Sequence, residues 1–378
     1  MKNRILAYTL AALMILSLLT GCAKESPNED AVAPDVSQVP AESEAPGATE
    51  PAREDFVFTD DCGRQVEVQG EISRIVPTGP IAQIALFAIA PEMIVGLASE
   101  WDSIAKDILD AEYYNLPQIG HIYGGKGEVN LEELALLAPQ LLIDIGEAKS
   151  SVAEDLDTLQ EQTGITCVHI EATLETMPQV YRKLGRLLGR EERGEDLAEY
   201  CQRIYDRTMD IINQVGDNRA DVLYCLGPEG LNVLAKDSYH AELIDMLTNN
   251  VAVVDEPSSK GTGNEVDMEQ LLLWNPDYII FAPEVSLDSL VKEPSWQQMK
   301  AISQGNYIKV PFGPFNWMGM PPSVQRYLGL IWLPAALYPD YVDYDAYEEI
   351  AEYFRLFYHS ELSRELFDEL TQNSFIQK

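Results

Sequence analysis

The 378-residue chain carries 62 acidic against 26 basic side chains, a formal charge of −36 at pH 7. A surface that acidic repels nucleic acid and anionic lipid headgroups, which excludes both as ligands and favours a partner with basic docking patches. Its five cysteines are scattered with no C-x-x-C spacing, which argues against a structural zinc centre.

The chain opens on a cationic head, Met1-Lys2-Asn3-Arg4, followed by an apolar run from Ile5 to Leu19 and then Thr20-Gly21-Cys22. This is the layout of a secretory signal, and the run is shorter than the roughly 20 residues of a membrane span. The small residues before the cysteine resemble the bacterial lipobox. Residues 1–22 are therefore expected to form a lipoprotein signal peptide, with Cys22 carrying diacylglycerol after cleavage. An uncleaved N-terminal anchor is the alternative. Residues 23–54, rich in Ala, Pro, Glu and Ser without apolar periodicity, are expected to form a disordered linker. The protein would then sit at the outer face of the cytoplasmic membrane, touching it through the Cys22 lipid only.

From Phe56 the pattern turns globular. Phe56-Val57-Phe58-Thr59 and Gln65-Val66-Glu67-Val68 flank an Asp/Gly turn and read as a β-hairpin. Strand-like Arg74 to Pro77, a helix from Ile81 to Ala90, a buried strand at Met93 to Leu97 and a helix near Ile104 to Leu109 are expected next. A helix from Leu131 to Leu137 and a strand from Leu141 to Ile145 follow, and this alternation argues for parallel α/β layers. Export permits a disulfide, but Cys167 and Cys225 lie in apolar strand-like runs and Cys201 on a helix, which favours small buried thiols.

One segment recurs 137 residues downstream. Glu128-Val129-Asn130-Leu131-Glu132-Glu133-Leu134 running to Ala138-Pro139-Gln140-Leu141 is echoed by Glu265-Val266-Asp267-Met268-Glu269-Gln270-Leu271 running to Asn275-Pro276-Asp277-Tyr278. Each copy is a helix stopped by proline that feeds a buried strand. The expected fold is α/β, with two similar Rossmann-like lobes and a ligand cleft between them. Between the copies, Met177 to Val215 is charged and helical, divided by Gly189 and Gly194, with Leu197, Tyr200, Ile204, Ile211 and Val215 at helical spacing. This gives an N-terminal lobe over 55–190, a single long bridging helix over 191–216 and a C-terminal lobe over 217–378. One rigid bridge favours small lobe movements over wide closure.

This pattern resembles the class III solute-binding proteins of bacterial ABC importers, which include vitamin B12, siderophore–iron and haem binders. The resemblance rests on Thr59 to Arg64 with Arg74-Ile75-Val76, on both copies of the repeat, on Pro321-Pro322-Ser323-Val324-Gln325-Arg326-Tyr327-Leu328-Gly329-Leu330 with Leu337-Tyr338-Pro339, and on Tyr353 to Leu370. Gln140 stands where the family usually has Asp. The Pro321 to Pro339 segment resembles one common in the family's iron-complex and molybdate-type members. The resemblance implies that ligand is bound between the lobes and presented, without chemistry, to a permease dimer with its ATPase. It also implies that Glu132 and Glu269, at matching positions of the repeat, dock onto permease arginines, with Glu128 and Glu265 as second candidates.

Ligand contacts are expected in loops after strand ends, where α/β folds place their sites. These loops offer Thr78, Gly79, Ser99, Trp101, His121, Tyr123 and Glu147 in the N-terminal lobe and Phe315 and Trp317 in the C-terminal lobe. The aromatics would wall a cleft for a flat chelate. His121 could coordinate a metal or donate to an oxyanion, and Arg326, at a helix start, could hold an anion, with Lys126 and Arg64 as weaker candidates. His169, His240 and His359 fall outside the expected cleft loops. No intrinsic cofactor is expected. The bound ligand is expected to be a metal chelate (ferric siderophore, haem or corrinoid), with molybdate or tungstate as the alternative, and the protein a monomer. No G-x-S-x-G, H-E-x-x-H or P-loop pattern occurs, so a lipid-anchored hydrolase would need an unrecognised site.

Overall fold

The computed structural model describes residues 53–121 and 129–376. Cys22, the signal and spacer through residue 52, Tyr123, Lys126 and Glu128 lie outside the described residues.

The first sheet-bearing lobe contains β1 (Phe56–Thr59), β2 (Gln65–Val68), β3 (Ile75–Pro77), α1 (Pro80–Ile89) and α2 (Ala111–Tyr114). It continues through α3 (Leu131–Leu137), β4 (Leu141–Gly146), α4 (Val152–Thr163), β5 (Thr166–Glu171) and α5 (Met177–Leu188). The long helix α6 spans Glu191–Val215. The second lobe adds β6 (Asp221–Leu226), β7 (Asn232–Val233), α7 (Glu242–Leu247), β8 (Asn249–Asn250), β9 (Asn264–Glu265), α8 (Met268–Trp274) and β10 (Tyr278–Phe281). It closes with α9 (Leu287–Leu290), α10 (Lys300–Ser303), β11 (Tyr307–Lys309), α11 (Arg326–Leu337), α12 (Ala346–Phe357) and α13 (Arg364–Leu370).

Strands β3, β4 and β5 form a parallel sheet with β4 central, and every residue of β4 is buried. A parallel sheet covered on both faces requires such apolar runs. The hairpin β1–β2 instead alternates half-buried or buried with exposed positions, as an antiparallel ribbon with one wet face does. In the second sheet β10 lies between β6 and β11, again in parallel, with β7 and β9 added antiparallel beyond β6. The order β3-β4-β5 thus reappears as β6-β10-β11.

The repeat holds at atomic detail. Asn130 caps α3 by accepting from the Glu133 N–H at 3.1 Å, and Asp267 caps α8 by accepting from the Gln270 N–H at 2.8 Å. Both helices end on a left-handed residue before proline: Ala138 at φ 43° and Asn275 at φ 40°.

Three local expectations change. Met93 to Leu97 forms no strand; Pro91 opens a short 3-10 turn, and only single bridges join Ile94 to Ile75 and Leu97 to Gln118. The segment near Ile104 is a 3-10 turn over Ser103–Asp107, capped by Asp102. Gly194 does not divide the bridging stretch but lies inside α6. A Cβ at Gly194 would come within 2.6 Å of the Tyr181 carbonyl oxygen and 2.9 Å of the Gly185 Cα. The two glycines let α5 and α6 pack backbone to backbone, and Gly189 makes the left-handed turn between them. Helix α12 crosses back to the first lobe: Phe357 packs edge-on against Tyr181 and tilted against Tyr200, and His359 reaches the Phe87 carbonyl oxygen. Cys62, Cys167, Cys201 and Cys225 are free thiols, the last three buried.

Candidate functional site

Parallel strands leave their C-terminal ends as loops facing one side, and both lobes bring such loops to one cavity of about 330 Å³. The first lobe supplies Gly79 to Ile81 after β3, His121, and Asp144 to Glu147 with Lys149 at the end of β4. The second supplies Tyr239, His240, Ser259, Gly261 and the loop Met320 to Pro322 beyond β11. A larger groove of about 1100 Å³ runs along β1–β2 beside Asp157 and Thr166, on the first lobe alone and away from these strand ends.

Helix α1 begins at the cavity. Gly79 is its N-cap, Pro80 its first residue, and neither a side-chain cap nor an acidic first-turn residue neutralises its amides. Beside it, Asp144 is committed on both oxygens: Oδ1 accepts from the Thr78 hydroxyl and Oδ2 pairs with His169 Nδ1 at 2.7 Å. Thr78 and His169 are buried, so they brace Asp144 from below. Asp60 extends the brace by accepting from the His169 N–H.

Behind the second-lobe wall the Arg326 side chain is 1% exposed and donates through Nη1 to Glu242, while its Nε and Nη2 have no partner. Its guanidinium carbon lies 5.8 Å from the centre of the Tyr239 ring. Burial pushes the Tyr239 hydroxyl up to about 12, so that group is a donor at neutral pH. Burial and the nearby Arg326 and Lys149 charges hold His240 below its ordinary value of 6.5, and its Nδ1 is unpartnered.

The lobes are tied together around the cavity. Tyr239 donates to the Ala172 carbonyl oxygen at 3.1 Å, Tyr327 to that of Leu174 at 2.6 Å, and Ser323 to that of Ile81 at 2.8 Å. Glu242 accepts from the Leu174 N–H at 2.9 Å. The bonds at Ala172 and Leu174 hold the segment after β5 against the second lobe, and the Ser323 bond holds the first turn of α1 against it.

Of the residues singled out in the sequence, Gly79, His121 and Glu147 line the cavity. Thr78 lies beneath it and Arg326 behind Tyr239. Ser99 does not line it; its backbone N–H and carbonyl are both bonded to the Gln83 side chain. Among the described residues, the tryptophans expected to wall the cleft do not line the cavity. Trp317 is fully buried, its indole N–H donating to the Gly313 carbonyl oxygen, and Trp101 packs in the core against Phe87 and Phe315. A Gly/Pro-rich loop had marked Trp317 as accessible, yet the loop folds inward and seats the indole as core. His240 corrects the sequence reading in the other direction: it follows the turn after β7, not a parallel strand end, and still lines the cavity with Tyr239. Lys149 and Met320 were also missed. Glu132 and Glu269 are both exposed in the first turns of α3 and α8. Among the described residues no group of three His, Cys, Asp or Glu side chains could hold a metal ion, and no helix is long and apolar enough to cross a membrane.

Solved structures share this architecture. An ABC transporter solute-binding protein from Sulfurospirillum deleyianum is 26% identical with a TM-score of 0.75, over 83% of this chain and 98% of that one. A periplasmic solute-binding protein from Veillonella parvula is 26% identical with a TM-score of 0.68, over 84% and 97%. MolA of Haemophilus influenzae, bound to molybdate, is 20% identical with a TM-score of 0.65, over 82% and 99%, a likeness of fold. No curated protein sequence matches the chain. Residues 100–313 match the periplasmic binding protein family across both lobes and the helix between them, and the chain belongs to that family.

Proposed function

We propose that the protein is the lipid-anchored receptor of an ABC importer and that its solute is a compact oxyanion of the molybdate or tungstate type. The observation that carries the ligand class is the uncapped start of α1 facing Lys149 and His240 across a cavity of about 330 Å³, with Arg326 behind it. Helix N-terminal amides and a buried guanidinium are the groups that hold a dehydrated anion. The volume stands at the low end for sites that bury drug-sized ligands, which disfavours haem or a corrinoid. Trp101 and Trp317 lie in the core and offer such a chelate no stacking surface. A small metal chelate is the second reading, favoured by His121 and His240 entering the cavity from opposite lobes, where open coordination positions could be filled.

Titration calorimetry with molybdate, tungstate, sulfate, haem and a ferric siderophore separates these readings. Tight molybdate or tungstate binding with no haem response is expected; a siderophore that binds while the oxyanions do not would overturn the first reading. Anchoring at Cys22 would place the receptor at the outer face of the cytoplasmic membrane. Labelled fatty acid incorporated into the native chain but not into Cys22→Ser tests it.

A further inference from the structure

Six large apolar side chains are strongly exposed among the described residues, and the two most exposed are Leu136 at 85% and Leu273 at 77%. They stand 137 residues apart, at the same position of the repeated unit. Single exposed leucines are common on protein surfaces and need no explanation. Two at one register of a duplicated element are different. The burial pattern of α3 and α8 matches at the surrounding positions too: Leu134 and Leu271 are the buried anchors, Glu133 and Gln270 are half-buried, and Glu132 and Glu269 are exposed.

Residues four apart share a helix face. Glu132 with Leu136, and Glu269 with Leu273, therefore make one acidic–apolar pair on each lobe. Equivalent side-chain caps at Asn130 and Asp267 and left-handed ends at Ala138 and Asn275 fix both helices, so each pair is held at the same position of its helix. Neither leucine helps to hold its own helix, since the inward position is taken by Leu134 or Leu271.

We propose that Leu136 and Leu273 are the apolar anchors of a docking surface for a membrane permease with two equivalent subunits, each leucine entering an apolar pocket beside a basic group that meets its glutamate. The occupant is set by the duplication: a surface presented twice by one chain matches a partner that offers one complementary surface twice. The acidic partner residue and the strongly negative chain call for basic groups around each pocket. Buried apolar anchors ringed by polar contacts carry most of the affinity of such interfaces, while rim charges set encounter and register. This inference rests on the importer reading above.

The test uses the full-length chain and its co-expressed permease–ATPase complex in nanodiscs, with Leu136→Ser, Leu273→Ser, the double variant, and Val57→Ser as a control. Val57 is 59% exposed on β1, outside the repeated unit. Each leucine substitution is expected to weaken complex formation about five-fold and the pair about twenty-five-fold, with molybdate affinity and melting temperature unchanged. Val57→Ser should bind like the native chain. Native-like binding by the double variant overturns the proposal and leaves the importer reading standing. A loss confined to one leucine overturns the paired arrangement. Failure of the native chain to bind the complex removes the importer reading and the proposal together. A concentration-dependent dimer of the native chain that disappears in the double variant assigns the surface to self-association and also overturns it.

Discussion

Arg326 and Glu242 form a contact between the lobes behind the Tyr239 wall of the cavity: the guanidinium donates to one carboxylate oxygen while the other receives the Leu174 N–H of the opposite lobe. An anion that draws on the free Nε and Nη2 of Arg326 would be felt at the lobe contact. Arg326→Lys is expected to weaken molybdate binding by about ten-fold, because a point charge cannot serve Glu242 and an anion through one planar fork. Glu242→Gln should strengthen it by freeing the guanidinium, and calorimetry on both variants checks the pair.

His240 carries a pH prediction. Burial and neighbouring cations lower its pKa in the ligand-free protein, and an anion beside it would raise it again. Proton uptake on binding follows, so oxyanion affinity should rise as pH falls from about 8 to about 5. Measuring the dissociation constant across that range for the native chain and for His240→Gln tests it. The variant should show a flatter profile.

The same titration bears on stability. His240 and His359 are both held below 6.5 in the fold by burial, so the unfolded chain takes up protons first. Their contribution is present above pH 6.5 and is lost as pH falls through the folded-state values. Denaturant midpoints should drop on acidification below that point, and less so in His359→Gln.

Gly194 stands where the helical hairpin leaves no room for a side chain. Gly194→Leu would drive a side chain into the Tyr181 carbonyl and the Gly185 backbone, with an expected cost of about 3 kcal/mol. Chemical denaturation reads this directly. A loss under about 1 kcal/mol would mean that α5 and α6 separate easily.

Charge reversal at Glu132 and Glu269 together should abolish uptake yet spare ligand affinity, because both side chains are exposed and neither lines the cavity. Transport by proteoliposomes alongside calorimetry separates the two effects.

The repeat was legible because its signals are local. Asn130 and Asp267 as caps, proline after Ala138 and Asn275, and apolar runs in the following strands act within a few residues of themselves. The long helix was legible from the spacing of Leu197, Tyr200 and Ile204, although Gly194 was misread as a break because its reason is a neighbour nine residues back in a packed hairpin. The cavity was half legible. Strand ends located Gly79, His121 and Glu147, but whether a loop residue faces a ligand or the core is a tertiary fact. Trp317 and Trp101 filled the interior, while His240 arrived from a turn that no strand-end rule selects.

The return of α12 to the first lobe has a consequence for biogenesis. Phe357, His359 and the Leu356 carbonyl that accepts from Arg193 complete packing around α1, α5 and α6. The amino-terminal half therefore lacks its cover until nearly the whole polypeptide is present. A chain exported as proposed above would cross its translocon unfolded, and a fold that can finish only when its last helices have emerged resists closing too early.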